Sequence, residues 1–255
     1  MERRHYNPYG LRNDVKRLAG AACFVELALG ARSWSSRAIE DWLRHGAISK
    51  DAETPTNMVR PLLQGRLPST ATAKKIASEH FACRLLRWRD HPLWTALQPT
   101  DEIIHQSLLD YTETLGFDVA SLLLGKRTFE HVDTMLEEDI ALGAVDILTA
   151  MTVASVFYSP PGNNTACYGT WRLFPATVGG TPHLFIRWRE LLELFNERIW
   201  TYGEARARQD AFGLGRMRVE IHRCADEARS EGVRIPPDKL TLFPSPVRRR
   251  ASRKH

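Results

Sequence analysis

The sequence predicts an all-α protein, and two features lead to that prediction. Apolar residues recur at steps of three and four along most of the chain, as they do on the buried side of a helix. Glycine, proline and small polar residues mark the ends of these periodic segments, where helices begin and end. With 43% hydrophobic and 25% charged residues in a chain of 255, the composition is that of a globular protein with a sizeable core.

The first two helices are predicted at residues 13–30 and 36–45. An apolar stripe runs along the first helix from Val15 to Leu29, and Gly30 ends it. The second helix follows a serine cap and carries acidic residues in its early turns, which favours the positive end of the helix dipole.

Two shorter helices are predicted after a polar, turn-rich loop at residues 46–55. The first runs through Gln64 and is closed by Gly65. The second opens after Pro68, at a serine or threonine cap, and continues to Phe81.

Residues 84–97 interleave arginines with Trp88 and Trp94. We expect a hinge anchored by the two tryptophans, in which Pro92 ends one helix and begins the next. The alternative is that arginine and tryptophan side chains stack on nucleic-acid bases. A domain boundary is predicted just beyond this hinge, near Pro99.

Longer helices are predicted in the C-terminal part, at residues 101–115, from about 129 to 158, at 183–212 and at 217–231. The apolar run 140–158 carries Asp146 at its middle. A charge at bilayer depth costs roughly 3 kcal/mol, so we expect a buried core helix and no membrane span.

Two loops are predicted between these helices, a long one at residues 159–170 and a shorter one at 177–183. The segment 167–175 is predicted as a short strand or an extended crossing.

Charge is distributed unevenly along the chain. The 35 Lys and Arg residues exceed the 30 Asp and Glu residues by five, and residues 248–255 alone hold five basic residues and no acid. Between Asn57 and Arg89 there are seven basic residues and one acid, whereas residues 100–165 hold two basic residues and eleven acids. This division indicates either two faces with different partners or attraction between the two halves of the chain.

The segment LLQGRLPSTATAKKIA, residues 62–77, contains a Gly, a basic residue, a Pro and a small polar cap in sequence. It resembles the end of the recognition helix and the following helix of phage-repressor (Cro/Xre-type) helix-turn-helix DNA-binding domains. The resemblance covers about residues 33–81 and implies a helical N-terminal bundle that places one helix in the DNA major groove. The chain departs from the family pattern in its long loop at 46–55 and in Pro61, which falls inside the proposed recognition helix.

The resemblance assigns six candidate nucleic-acid-binding residues: Asn57, Arg60, Gln64, Arg66, Lys74 and Lys75. The first three would lie on the exposed side of the recognition helix, where Asn and Gln suit adenine edges and Arg suits guanine. The other three would lie near phosphates and add affinity without sequence information.

We expect no enzyme activity, no cofactor and no metal. The motifs Gly-x-Ser-x-Gly, His-Glu-x-x-His and Gly-x-Gly-x-x-Gly are absent from the sequence, and the Gly125–Lys126 pair lacks the upstream glycine of a phosphate loop. His80, Cys83 and His91 come nearest to zinc ligands, but a fourth is not evident. The four cysteines are far apart and form no Cys-x-x-Cys pair, which favours the cytoplasm.

Two functions from different classes remain open. The first is a cytoplasmic DNA-binding protein, such as a bacterial or phage transcriptional regulator or a mobile-element accessory protein. In it residues 1–98 form the helix-turn-helix-like domain, residues 99–240 form a helical domain that binds a protein partner or a second copy, and residues 241–255 form a basic flexible tail. The second is a helical interaction or scaffold subunit with no sequence-specific nucleic-acid binding. Neither function involves a membrane.

Overall fold

A computed structural model describes residues 11–45, 58–80, 84–98, 102–114, 140–157, 165–200 and 204–238. These residues form twelve helices and no strand, so the predicted all-α architecture is confirmed. The helices are α1 Asn13–Gly30, α2 Ser36–His45, α3 Val59–Leu63, α4 Thr70–Glu79, α5 Leu85–Arg89, α6 Pro92–Ala96, α7 Glu102–Thr114, α8 Ile140–Phe157, α9 Thr165–Gly180, α10 Pro182–Phe185, α11 Trp188–Arg198 and α12 Glu204–Ser230.

Helix α1 lies at the centre of the core. Every residue from Leu18 to Ala28 is buried, including the charged Glu26. Helices α3, α5, α6 and α10 all pack on α1. A helix covered on most sides must be apolar nearly all round, and the alanine-rich sequence of α1 meets that requirement with small side chains.

The closest approach to α1 is made by α3, at Gly20. A Cβ atom on Gly20 would lie 2.0 Å from the carbonyl oxygen of Leu62. No real side chain tolerates such a contact with backbone, so glycine is what allows α3 to pack directly on α1. The position of α3 is therefore set by backbone packing as well as by its side chains.

Helix α8 is the buried helix predicted from the apolar run, and it packs on α6, α7 and α9. Three of its hydroxyl side chains, Thr149, Thr152 and Ser155, each donate a hydrogen bond of 2.7 Å to the carbonyl four residues earlier. These bonds satisfy polar groups that the core would otherwise leave without partners. Within the described ranges, no helix has the length and apolar character needed to cross a membrane.

One continuous cluster of buried side chains extends from α1 to α12. It includes Trp88 and Trp94 from the hinge and Trp200 from the C-terminal part. Residues 99–101 lie outside the described residues, and the division into domains at 98/99 stays a prediction.

The sequence-based expectations for the C-terminal part are wrong in two places. Residues 165–180, predicted as loop and as strand or extended crossing, form helix α9, because Phe174 and Val178 are buried on a helical period against α8 and α12. The single helix predicted at 183–212 is divided among α10, α11 and the start of α12, and α12 bends at Gly213, whose φ is 66°.

Candidate nucleic-acid interface

Helix α3 exposes two of the residues predicted to contact bases. Its apolar residues Val59, Leu62 and Leu63 are buried, whereas Arg60 and the following Gln64 are exposed. Arg60 and Gln64 are four residues apart and so lie on the same side of the helix. The third predicted base-contact residue, Asn57, lies outside the described residues.

Pro61 does not disrupt α3, because it is the third residue of the helix. The N–H groups of the first turn have no partner within a helix, so the missing N–H of proline costs no hydrogen bond there. At five residues α3 rises only about 7.5 Å, so it presents about one and a half turns of exposed surface.

A compact turn at residues 64–69 connects α3 to α4. Gly65 has a φ of 85°, which L side chains rarely adopt, and its Cα faces the backbone of α1, since a Cβ there would lie 3.1 Å from the backbone nitrogen of Arg17. The turn ends at Ser69, whose Oγ accepts a hydrogen bond of 3.0 Å from the backbone N–H of Thr72. This N-cap is one of the predicted ones, and it fixes where α4 begins.

The three predicted phosphate-contact residues are all exposed. Arg66 lies in the turn, and Lys74 and Lys75 lie on α4, whose inward side is formed by Ala73 and Ile76. Lys75 lies 3.9 Å from Glu79, an exposed pair of a kind that contributes little energy. These side chains are therefore placed where a polyanion could reach them.

Two of the basic residues between positions 57 and 89 form ion pairs within the protein. Arg89 is buried with 1% of its side chain exposed and lies 2.5 Å from Asp90. Arg87 makes an ion pair of 3.2 Å with Asp146, which belongs to the acidic half of the chain. Some of the basic charge of residues 57–89 is thus neutralised by the acidic part of the chain, which is the alternative of attraction between the two halves that the sequence left open.

The tryptophan-anchored hinge is confirmed, and the alternative of base stacking by its tryptophans is wrong. Trp88 and Trp94 are both buried, and the Nε1–H of Trp94 donates a hydrogen bond of 2.6 Å to the carbonyl of Trp88. Pro92 is the first residue of α6, as predicted.

The C-terminal half contacts the end of α3 through Arg187, which lies between α10 and α11. Its Nη2 donates a hydrogen bond of 3.0 Å to the carbonyl oxygen of Leu63. Its Nη1 is paired with Glu190, which also lies 3.6 Å from the Nε of Arg17 on α1. A helix end leaves its last carbonyls without intrahelical partners, and Arg187 supplies a partner for one of them.

The protein also contains a buried polar cluster in two parts, and the first part is centred on Asp146 of α8. The carboxyl group of Asp146 accepts hydrogen bonds of 3.0 Å from His91 Nε2 and 2.6 Å from the hydroxyl of Tyr111. His91 Nδ1 accepts the N–H of Leu93, so the ring proton of His91 is on Nε2. Burial raises the pKa of Asp146, but the hydrogen bonds from His91 and Tyr111 and the charge of Arg87 outweigh it, and the pKa lies below its ordinary value.

The second part of the cluster is a pair formed by Glu26 and His183. His183 Nε2 lies 2.9 Å from Glu26, which also accepts the backbone N–H of Arg84 at 2.6 Å. The ring of His183 stacks on Trp88 with centroids 3.8 Å apart, and His91 lies against Trp88 at 5.8 Å. Burial lowers the pKa of His183 below its ordinary value, although the hydrogen bond to Glu26 acts in the opposite direction.

These hydrogen-bonded and stacked groups connect helices α1, α5, α6, α7, α8 and α10. Of the groups involved, only Asp146 could be expected from the sequence to be buried with polar partners. Asp146 was conspicuous as a charge within an apolar run, and a buried carboxyl requires partners. Its partners come from distant positions and could not be read from spacing. Over the part of the chain that is described, no group of three or more His, Cys, Asp or Glu side chains is arranged to hold a metal ion. Cys83, one of the three residues nearest to zinc spacing, lies outside it.

Comparison of the chain with protein-family models, with curated proteins and with solved structures finds no match.

Proposed function

We propose that this chain is a non-catalytic, cytoplasmic DNA-binding protein, of the kind that serves as a transcriptional regulator or a mobile-element accessory protein. The observation that carries the proposal is the outward placement of Arg60 on α3 and of Gln64 directly after it, followed by Arg66 in the turn and two lysines on α4. Arginine can donate to base edges, glutamine can both donate and accept there, and the remaining basic side chains can approach phosphates.

The rigid support of this surface also favours the proposal. α3 packs on the backbone of α1 at Gly20, and α4 begins at a defined cap. A preformed surface binds without first ordering its own backbone, which lowers the cost of association. In the proposal, the helices of residues 99–240 bind a protein partner or a second copy of the chain. The basic tail at 241–255 adds contacts to DNA phosphates.

An electrophoretic shift assay with random duplex DNA tests the proposal, using the full chain and a variant that ends at residue 240. Phosphate contacts by Arg66, Lys74 and Lys75 would give the truncated chain a slope of about −2.7 in log affinity against log salt, which is about a 40-fold loss between 50 and 200 mM. The full chain should bind more tightly and show a steeper slope.

The second candidate function is a helical interaction or scaffold subunit. The specific observation in its favour is that Arg87 pairs with Asp146 and Arg17 lies near Glu190, so basic charge is balanced within the protein. Under this alternative, deletion of residues 241–255 would remove most nucleic-acid affinity, and the remainder would show no sequence preference. In the same assay, a truncated variant that still binds with a salt slope near about −2.7 would support the first function, and one that loses most of its affinity would support the second.

A further inference from the structure

Two arginines from different parts of the chain hold the connection between α3 and α4 at its two ends. Arg187 donates to the carbonyl of Leu63, the residue before the turn, at 3.0 Å. Arg89 Nε donates to the carbonyl of Pro68, near the end of the turn, at 2.7 Å. Between these points Gly65 lies against the backbone of α1.

The burial of Arg89 indicates that this contact is specific. Only 1% of its side chain is exposed, and a guanidinium is costly to bury unless its hydrogen bonds are made. Arg89 also lies next to Asp90, which balances its charge at 2.5 Å. A buried arginine that donates to a turn carbonyl fixes the backbone at that point, because movement of the turn would leave a buried, charged donor without its acceptor.

Arg187 has the corresponding role at the other end and comes from the C-terminal half. Its side chain is 17% exposed and is held by Glu190, one turn along α11. Arg187 thus reaches α3 with limited freedom of its own, and little of it is accessible to a ligand.

We propose that Arg89 and Arg187 are positioning residues for the DNA-contacting turn, so that the C-terminal half of the chain determines the geometry in which Gln64 and Arg66 are presented. This inference rests on the proposed function for its effect on DNA. Its structural part, the restraint of residues 64–66, does not depend on DNA binding.

Hydrogen exchange of the full chain tests the restraint, with Arg187→Met as the variant and Arg189→Met as the matched control. Arg189 is an exposed arginine two residues away, with 66% of its side chain accessible, and it forms an ion pair of 3.5 Å with Asp238. Loss of a hydrogen bond from a charged donor should speed amide exchange at residues 64–66 by at least about tenfold in R187M and leave it unchanged in R189M. R187K retains a donor and should restore part of the protection.

Duplex binding by the same variants supplies the second measurement. If Arg187 positions the turn without touching phosphate, R187M should reduce the affinity ratio between a selected and a scrambled duplex while keeping the wild-type salt slope. Arg89→Lys provides an independent variant at the other end of the turn, with exchange again measured at residues 64–66.

The outcomes separate this inference from the proposed function. Unchanged exchange at residues 64–66 in both R187M and R89K would overturn the positioning role, whatever the DNA measurements show. Faster exchange in R187M, together with a wild-type chain that binds no duplex, would support the restraint and overturn the proposed function.

Discussion

Arg60 and Gln64 carry the whole of the proposed sequence recognition that the structure describes. In a double variant, Arg60→Ala with Gln64→Ala, we expect the preference for a selected duplex over a scrambled one to fall by about 1–3 kcal/mol for each base that is no longer recognised. The measurement is the ratio of the two Kd values at fixed salt. Arg218→Ala is the control, because Arg218 is an exposed arginine on α12. A ratio that survives the double substitution would show that α3 does not read bases.

Lys74 and Lys75 should behave differently, because phosphate contacts carry no sequence information. We expect Lys74→Ala and Lys75→Ala each to lower the magnitude of the salt slope by about 0.9 while the preference between duplexes stays the same. Titrations at several salt concentrations measure the slope. If both variants keep the wild-type slope, neither lysine contacts phosphate.

His183 makes the stability of the fold sensitive to acid. Its pKa in the folded protein is lowered from 6.5, so the unfolded chain binds more protons than the folded one as the pH falls below that value. Stability should therefore decline on acidification from pH 6.5, with a slope of up to about 1.4 kcal/mol per pH unit from this group. The pKa of Asp146 is lowered from 3.8, so the stability that this carboxylate contributes is lost only when the pH falls below that value.

The variant His183→Phe keeps a ring against Trp88 and removes the titrating group. We expect it to be less stable than the wild type at pH 7.5, since Glu26 loses a hydrogen-bond donor, and to lose less stability between pH 6.5 and 5. Urea unfolding across this pH range measures both effects, with His183→Gln as a second variant. Parallel pH profiles for the wild type and both variants would contradict the role of His183.

Among the helices, the contact between α1 and α3 makes the sharpest prediction. In Gly20→Ala the new methyl group would lie 2.0 Å from a backbone oxygen, so α3 must move. We expect a loss of about 1–3 kcal/mol in the free energy of unfolding from this overpacking, after allowing for the better helix propensity of alanine. Gly180→Ala is the control, because a Cβ there meets no atom within 4 Å. Equal stability of the two variants would contradict the close packing of α3 on α1.

Helices with a regular apolar period were predictable from the sequence, and those defined mainly by long-range packing were not. The bounds of α1 were predicted from its apolar stripe and its final residue Gly30, and the start of α4 was predicted from its serine cap. Helix α1 itself begins after Arg12, which makes no side-chain cap hydrogen bond. Helix α9 was missed because Gly169 and Pro175 resemble loop residues, and only burial against neighbouring helices makes the segment helical. In the candidate site, the exposed positions on α3 and α4 were predictable, whereas Arg187 and Arg89 became visible only through contacts between distant residues.

For the molecule as a whole, the continuous core predicts cooperative unfolding. Most buried side chains from α1 to α12 belong to one cluster, a smaller one is formed by Ala96, Leu108 and Val153, and Trp88 lies between a glutamate–histidine pair and an aspartate–histidine pair. We therefore expect one calorimetric transition, with a van't Hoff enthalpy close to the calorimetric one. Two separated transitions would instead support the predicted division at residue 98.

The bond between Arg187 and Leu63 also has a consequence during synthesis. The two residues are 124 positions apart, and ribosomes add about 5–20 residues per second, so Leu63 emerges about 6–25 s before Arg187. Until then the nascent chain has the exposed basic side chains of its early helices without the arginine that fixes the end of α3. A product that ends before Arg187 would retain the exposed Lys74 and Lys75 and lack the hydrogen bond to Leu63, so the end of α3 acquires this partner only after synthesis has passed residue 187.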